Sequence, residues 1–187
     1  VEGYAARFGV LSRDLGGWRE KIQRGAFADA LKRSDMDVVA LFNHDQNQVL
    51  GRTSSGTLTV REDSRGLFYR VTLPDTGFAR DLVESMARGD IHQSSFAFTV
   101  PPDGSEWKFD VEDKERGTYD LRIVKRVAEI FDVSPVTTPA YPDATSGLMR
   151  SFDLAGAAIE ERRAARREFA RAARERVDAI MRKRGIK

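Results

Sequence analysis

From Ser94 to Val100 the sequence alternates with the period of a strand, and each face limits what can pack against it. Ser94, Phe96, Phe98 and Val100 fall on one face, apolar enough to lie on a core. Ser95, Ala97 and Thr99 fall on the other, which carries only small residues. Ser95 stands there with little bulk to crowd its hydroxyl. A serine on a rigid strand with open space above it can act as a nucleophile, but a hydroxyl alone is weak and needs a base. The chain offers two histidines, His44 and His92.

Short runs of this kind fill most of the sequence. Val1 to Val10 reads as a first strand, with Tyr4, Ala6 and Phe8 on one side. Asp14-Leu-Gly-Gly17 is a turn, and Trp18 to Ile22 continues as a short strand. Phe27, Ala30 and Leu31 have helical spacing. Val38 to Phe42 is an apolar run read as a buried strand, and Asn43-His44-Asp45 begins a polar loop. Thr57 to Arg61 and Leu67 to Leu73 predict a hairpin, with Leu67, Tyr69, Val71 and Leu73 sharing a face. Phe78, Leu82 and Met86, four apart, predict a helix over Phe78 to Arg88 that Gly89 ends. Trp107 to Val111 and Tyr119 to Ile123 alternate on either side of a charged turn. Val127 to Val133 is a last strand; beyond it Pro135, Pro139 and Pro142 predict a stiff, irregular segment. Many short strands with few helices predict a mainly β, α+β fold: a closed or nearly closed β-barrel with helices outside it.

The 187 residues, 41% hydrophobic, suit one globular domain with an appendage. No apolar run approaches the ~20 residues that span a bilayer, and no signal peptide opens the sequence. With no cysteine, disulfides, thiol nucleophiles and thiolate metal sites are excluded, which fits a cytosolic protein. The net charge of +2 hides an asymmetry: residues 153–187 hold 11 basic and 6 acidic side chains, the remainder 20 basic and 23 acidic. The basic character therefore belongs to the tail, and charge speaks against nucleic-acid binding by the main domain. The tail is rich in Ala, Arg and Glu, and Phe169, Ala173, Val177 and Ile180 make a narrow apolar stripe. The expected division is a β domain over 1–150 and a charged helix over 151–187.

His44 follows directly from an apolar strand, a placement that presents a side chain at a strand end. His92 lies three residues before Ser95, on the opposite face of a strand or outside it on a turn, and reads as uninvolved. A Ser–His pair works best with a third group that fixes the imidazole tautomer. Glu129 and Asp132 on the last strand are candidates; they are three apart, so they point to opposite faces and at most one can serve. Asp132 alternates with Ile130 and Ser134, Glu129 with Phe131 and Val133, and the pattern does not choose between them. Metal ligation is poorly supported, with two histidines and no cysteine. No glycine-rich phosphate loop is present.

Taken together, the motifs resemble a known family. Leu41-Phe-Asn-His-Asp45, Val49-Leu-Gly-Arg-Thr53, Leu73-Pro-Asp-Thr76, Arg88-Gly-Asp90, Ser94-Ser-Phe-Ala-Phe98, Phe131-Asp-Val-Ser134 and Thr138-Pro-Ala-Tyr-Pro142 occur in this order. The series is similar to that of the HK97-type prohead serine proteases of tailed bacteriophages, across roughly residues 3–146. Gly3-Tyr-Ala-Ala-Arg-Phe8, Gly16-Gly-Trp18 and Gly25-Ala-Phe27 resemble that family's start.

The resemblance implies a herpesvirus-protease-like β-barrel surrounded by helices, and a serine endopeptidase. His44 matches the family's histidine in Asn-His-Asp. Ser95 matches its serine, with Ser94 and Ala97 where the family has Met and Gly. Asp132 matches the acidic residue before Val-Ser and is preferred on that ground over Glu129. Herpesvirus relatives use a second histidine as third member, and this sequence has none there. The herpesvirus analogy places the oxyanion donors in the backbone of Thr137–Tyr141. No cofactor or metal is implied. The implied substrates are the major capsid protein, its scaffold segment and the protease itself, inside the immature capsid in the host cytoplasm. No membrane partner is implied, and the tail would target the enzyme or be removed by self-cleavage. The alternative is a non-catalytic assembly module that retains the fold; nucleic-acid packaging rests only on the basic tail.

Overall fold

The computed structural model describes residues 1–138 and Tyr141. Their backbone forms strands β1 (Glu2–Arg7), β2 (Trp18–Ile22), β3 (Val39–Phe42), β4 (Asp45–Arg52), β5 (Leu58–Glu62), β6 (Gly66–Val71), β7 (Gln93–Thr99), β8 (Ser105–Asp113), β9 (Gly117–Val124) and β10 (Glu129–Val136). Helix α1 (Ala28–Lys32) follows β2, and α2 (Gly77–Ala87) lies between β6 and β7. The strands pair in three sheets, ordered β1-β6-β5, β4-β3-β10-β7 and β2-β9-β8.

Local chemistry accounts for the hairpins. In the β5–β6 turn Asp63 Oδ1 accepts the N–H of Arg65 at 2.8 Å and of Gly66 at 3.3 Å. Gly66 is fixed by close approach as well: a Cβ there would lie 2.0 Å from the Ala6 carbonyl oxygen of β1. In the β8–β9 turn Asp113 Oδ1 takes the N–H groups of Glu115 and Arg116, both at 2.9 Å. Leu67, Tyr69 and Val71 are buried together, as their shared face predicts. Phe96 stacks on Phe98 at 4.6 Å and meets Phe27 edge-on at 5.6 Å, which sets an aromatic core behind β7.

Several expectations are corrected. The sheets do not close into a barrel: β7 runs beside β1 without a backbone ladder between them. Closure needs a continuous stagger around the ring, and here ladders stop at β1, β2, β4, β5, β7 and β8. The single-face pattern of β1 is broken by a bulge between Tyr4 and Ala6, so Ala5 and Ala6 are both buried. The polar loop expected after Asn43 is instead β4, which starts at Asp45; lying at the sheet edge, it tolerates Gln46, Asn47 and Gln48. Pro135 does not end β10, which runs through it to Val136. Its fixed φ suits extended backbone, and its carbonyl still accepts the Asn43 N–H at 3.0 Å. Helix α2 buries Ala79 and Leu82, whereas Phe78 and Met86 are only half-buried. The C-terminal helix and the boundary at 150/151 lie outside the described residues. Among the described residues no helix is long and apolar enough to cross a membrane.

Candidate active site

Three strands and one turn assemble the predicted side chains. β7 and β10 run antiparallel with Ser95 opposite Ser134 and Ala97 opposite Asp132. Register partners point to the same side, so Ser95, Ala97, Asp132 and Ser134 share one face of the sheet. On the other side of β10, β3 runs parallel and sets Val39 beside Asp132. A two-residue turn joins β3 to β4, since Phe42 pairs with Asp45. Its central residues, Asn43 and His44, have φ of 54° and 57°. Positive φ at both positions is what a tight hairpin turn demands; it is uncommon outside glycine, and Asn and His are enriched among the exceptions. The turn carries the imidazole back over the face that holds Asp132.

His44 Nδ1 lies 2.6 Å from Asp132 Oδ1, with 12% and 4% of the two side chains exposed. The Ser134 hydroxyl donates to the same Oδ1 at 2.8 Å and stands 3.4 Å from Nδ1. An Nδ1–H bound to a carboxylate leaves Nε2 as the basic nitrogen. Nε2 is buried and among the described residues has no hydrogen-bond partner; neither does the Ser95 hydroxyl. Leaving a buried polar atom unpaired costs about 1–3 kcal/mol, and such atoms are rare enough to need a reason. A base and a hydroxyl left unpaired in this way can serve general-base attack.

The structure therefore brings His44 and Asp132 into contact and puts Ser95 on the Asp132 face, with no hydrogen bond between Ser95 and His44. The open space expected above Ser95 is not there. Ser95 is 1% exposed, and β7 is buried on both faces from Ser95 to Phe98, because the sheet is covered on the small-residue side too. Glu129 is 45% exposed and stands 4.0 Å from Arg33. His92 is exposed, its Nδ1 3.0 Å from the Gly89 carbonyl. Ser94 turns the other way and meets the Tyr69 hydroxyl at 2.9 Å.

Two residues had no assigned role in the sequence reading. Ser134 shares parity with Asp132, a signal that was readable. Asn43 was visible only as a neighbour of His44; its Oδ1 accepts the Thr137 N–H at 2.9 Å. Thr137 thus gives its N–H to Asn43, which removes it from the donors expected for an oxyanion.

Tyr141 leads away from this face into the interior. Its hydroxyl donates to Glu20 Oε1 at 2.8 Å, and Arg122 Nη1 donates to Glu20 Oε2 at 3.0 Å. Burial pushes the Glu20 carboxyl up against the pull of Arg122. Burial and the Glu20 charge hold the Tyr141 phenol well above its ordinary value. Among the described residues no group of three or more His, Asp or Glu side chains gathers to hold a metal.

Neither a curated protein nor a solved structure matches the chain, so the herpesvirus likeness has no structural match behind it. The family model described as caudovirus prohead serine protease matches residues 1–156. That span takes in every strand described above and both sides of the His44–Asp132 contact, and the chain belongs to the caudovirus prohead serine protease family.

Proposed function

We propose that the chain is a serine endopeptidase that uses Ser95 as nucleophile, His44 as general base and Asp132 as the third member. The observation that carries this reading is the 2.6 Å contact of His44 Nδ1 with Asp132, beside which Nε2 and the Ser95 hydroxyl are buried and unpartnered among the described residues. Ser95 Oγ attacks the scissile carbonyl carbon while His44 Nε2 takes its proton. The imidazolium, stabilised by Asp132, then protonates the amine as the C–N bond breaks. Water, activated by the same nitrogen, releases the acyl group and restores the hydroxyl. Backbone N–H groups beyond Thr137 are the donors for the oxyanion; losing one such donor typically reduces the rate by ~10²–10³.

The substrates are the extensions of the major capsid protein and its scaffold, and the enzyme's own chain, cut inside the immature capsid. Family membership supports a capsid-maturation role. The burial of Ser95 supports a closed resting form, in which the covered face must open before a peptide reaches the hydroxyl. The test is co-expression with the capsid protein, followed by intact-mass analysis, for wild type and Ser95→Ala. Fragments present in wild type and lost in the variant are expected. An identical fragment pattern overturns the reading and leaves the non-catalytic assembly module.

A further inference from the structure

Asn43 sits beside the imidazole but engages a different part of the molecule. Its N–H donates to the Pro135 carbonyl at 3.0 Å, and its Oδ1 accepts the Thr137 N–H at 2.9 Å, with the Thr137 hydroxyl at 3.4 Å. One exposed residue therefore ties the β3–β4 turn to the last residue pairs of β10 and the segment that leaves it. The turn needs such a tie. Two successive non-glycine residues at φ of 54° and 57° are disfavoured conformations, which persist when the surroundings over-determine them. The His44 contact with Asp132 depends on the same geometry, because Asp132 lies on the strand whose end the turn is tied to.

We propose that Asn43 is a positioning residue for the proposed hydrolysis: it clamps the turn bearing His44 onto the exit of β10, so that Nδ1 stays against Asp132 and Nε2 stays over the Ser95 face. The proposal rests on the peptidase reading. Asn43 touches no reacting atom; it acts through His44. Bulk burial is not its role, since the side chain is exposed.

The test uses the full chain and a fluorescent alkyl fluorophosphonate, which phosphonylates an activated serine with loss of fluoride. Asn43→Gly keeps the left-handed turn and removes the acceptor. Asn43→Asp keeps the acceptor. We expect Asn43→Gly to lower the maximal labelling rate by ~10–10²-fold with little change in half-saturating probe, the scale of a small displacement of a reacting group. Asn43→Asp should stay within about threefold of wild type, since the acceptor geometry is retained. Proton NMR supplies a second readout: the His44 Nδ1 proton, shared with Asp132, gives a low-field, exchange-protected signal that Asn43→Gly should broaden or lose while Asn43→Asp keeps it. If Asn43→Gly does not fold, Thr137→Pro removes the same N–H from the other side and should show the same losses. Wild-type labelling with an intact proton signal in either variant overturns the clamp. A wild-type chain that labels no faster than Ser95→Ala, both alone and when co-expressed with the capsid protein, sinks the peptidase reading instead, and the proton signal still decides the clamp.

Discussion

Two serines face each other across β7 and β10, and their hydroxyls differ in what they are free to do. Ser134 gives its proton to Asp132 at 2.8 Å, on the carboxylate side of the imidazole. Ser95 has no hydrogen-bond partner among the described residues and is the hydroxyl proposed to meet Nε2. Phosphonate labelling separates the two roles. Ser95→Ala should abolish it. Ser134→Ala should retain it at a rate about tenfold lower, because a hydrogen bond to a charged group contributes about 1.5–3 kcal/mol and only part of that changes on the way to the transition state. Labelling that survives Ser95→Ala and vanishes in Ser134→Ala would exchange the assignments. Asp132→Asn places an amide against Nδ1 and no longer selects the productive tautomer; turnover should fall by ~10⁴, measured on any substrate the wild type cleaves.

At the scale of elements, the β3–β4 hairpin is held at both ends. At the turn end is the Asn43 tie; at the open end Arg52 Nε reaches both carboxylate oxygens of Asp37, at 3.0 and 2.9 Å. Those hydrogen bonds hold the Asp37 carboxyl down at about 2, from an ordinary 3.8. A carboxyl depressed by folding stabilises the fold above its unfolded pKa and loses that contribution as pH falls through its folded one. The urea midpoint of wild type should therefore exceed that of Asp37→Asn at pH 6, and the gap should shrink between about pH 4 and pH 2, where the two pKa values lie; a gap independent of pH rules the pair out as the cause. The candidate residues on these elements were proposed from strand parity or a short motif: Ser95 from the Ser94–Val100 alternation, His44 from its place after an apolar run, Asp132 from the resemblance. β4 was not legible, because a polar edge strand has no apolar period to read and is held by pairing with β3. Pro135 misled for a related reason: proline argues against a strand, yet this one sits where its carbonyl is used and its missing N–H is tolerated. Nor does alternation reveal what covers a face, so the burial of Ser95 was out of reach.

Across the whole described structure three sheets do not close into a ring, and inside one of them, between the neighbouring strands β2 and β9, lies a buried ionic contact. Glu20 on β2 and Arg122 on β9 are 0% and 4% exposed in their side chains, and Tyr141 joins them from beyond β10. No motif in the sequence points to it, and its two charged residues lie 102 positions apart. Desolvation cancels much of the attraction within such a pair, whereas removing one partner leaves an uncompensated charge, at about 3–5 kcal/mol. Arg122→Met should accordingly lower the melting temperature by on the order of 10 °C. The loss has a defined pH dependence. Burial raises the Glu20 carboxyl in the folded state, and removing Arg122 takes away the largest opposing influence. A group raised by folding stabilises the fold below its unfolded pKa, and the contribution disappears as pH climbs through the folded one. The deficit of Arg122→Met should thus be smaller at pH 5 than at pH 8, with Glu20 taking up a proton in place of its lost partner. Adding Glu20→Gln to Arg122→Met removes the charge while leaving an oxygen for the Tyr141 hydroxyl, so the double variant should regain part of the stability and lose the pH dependence. Melting curves of the three chains at both pH values decide it: equal deficits at pH 5 and pH 8 would mean that Glu20 is not the group left stranded when Arg122 is removed.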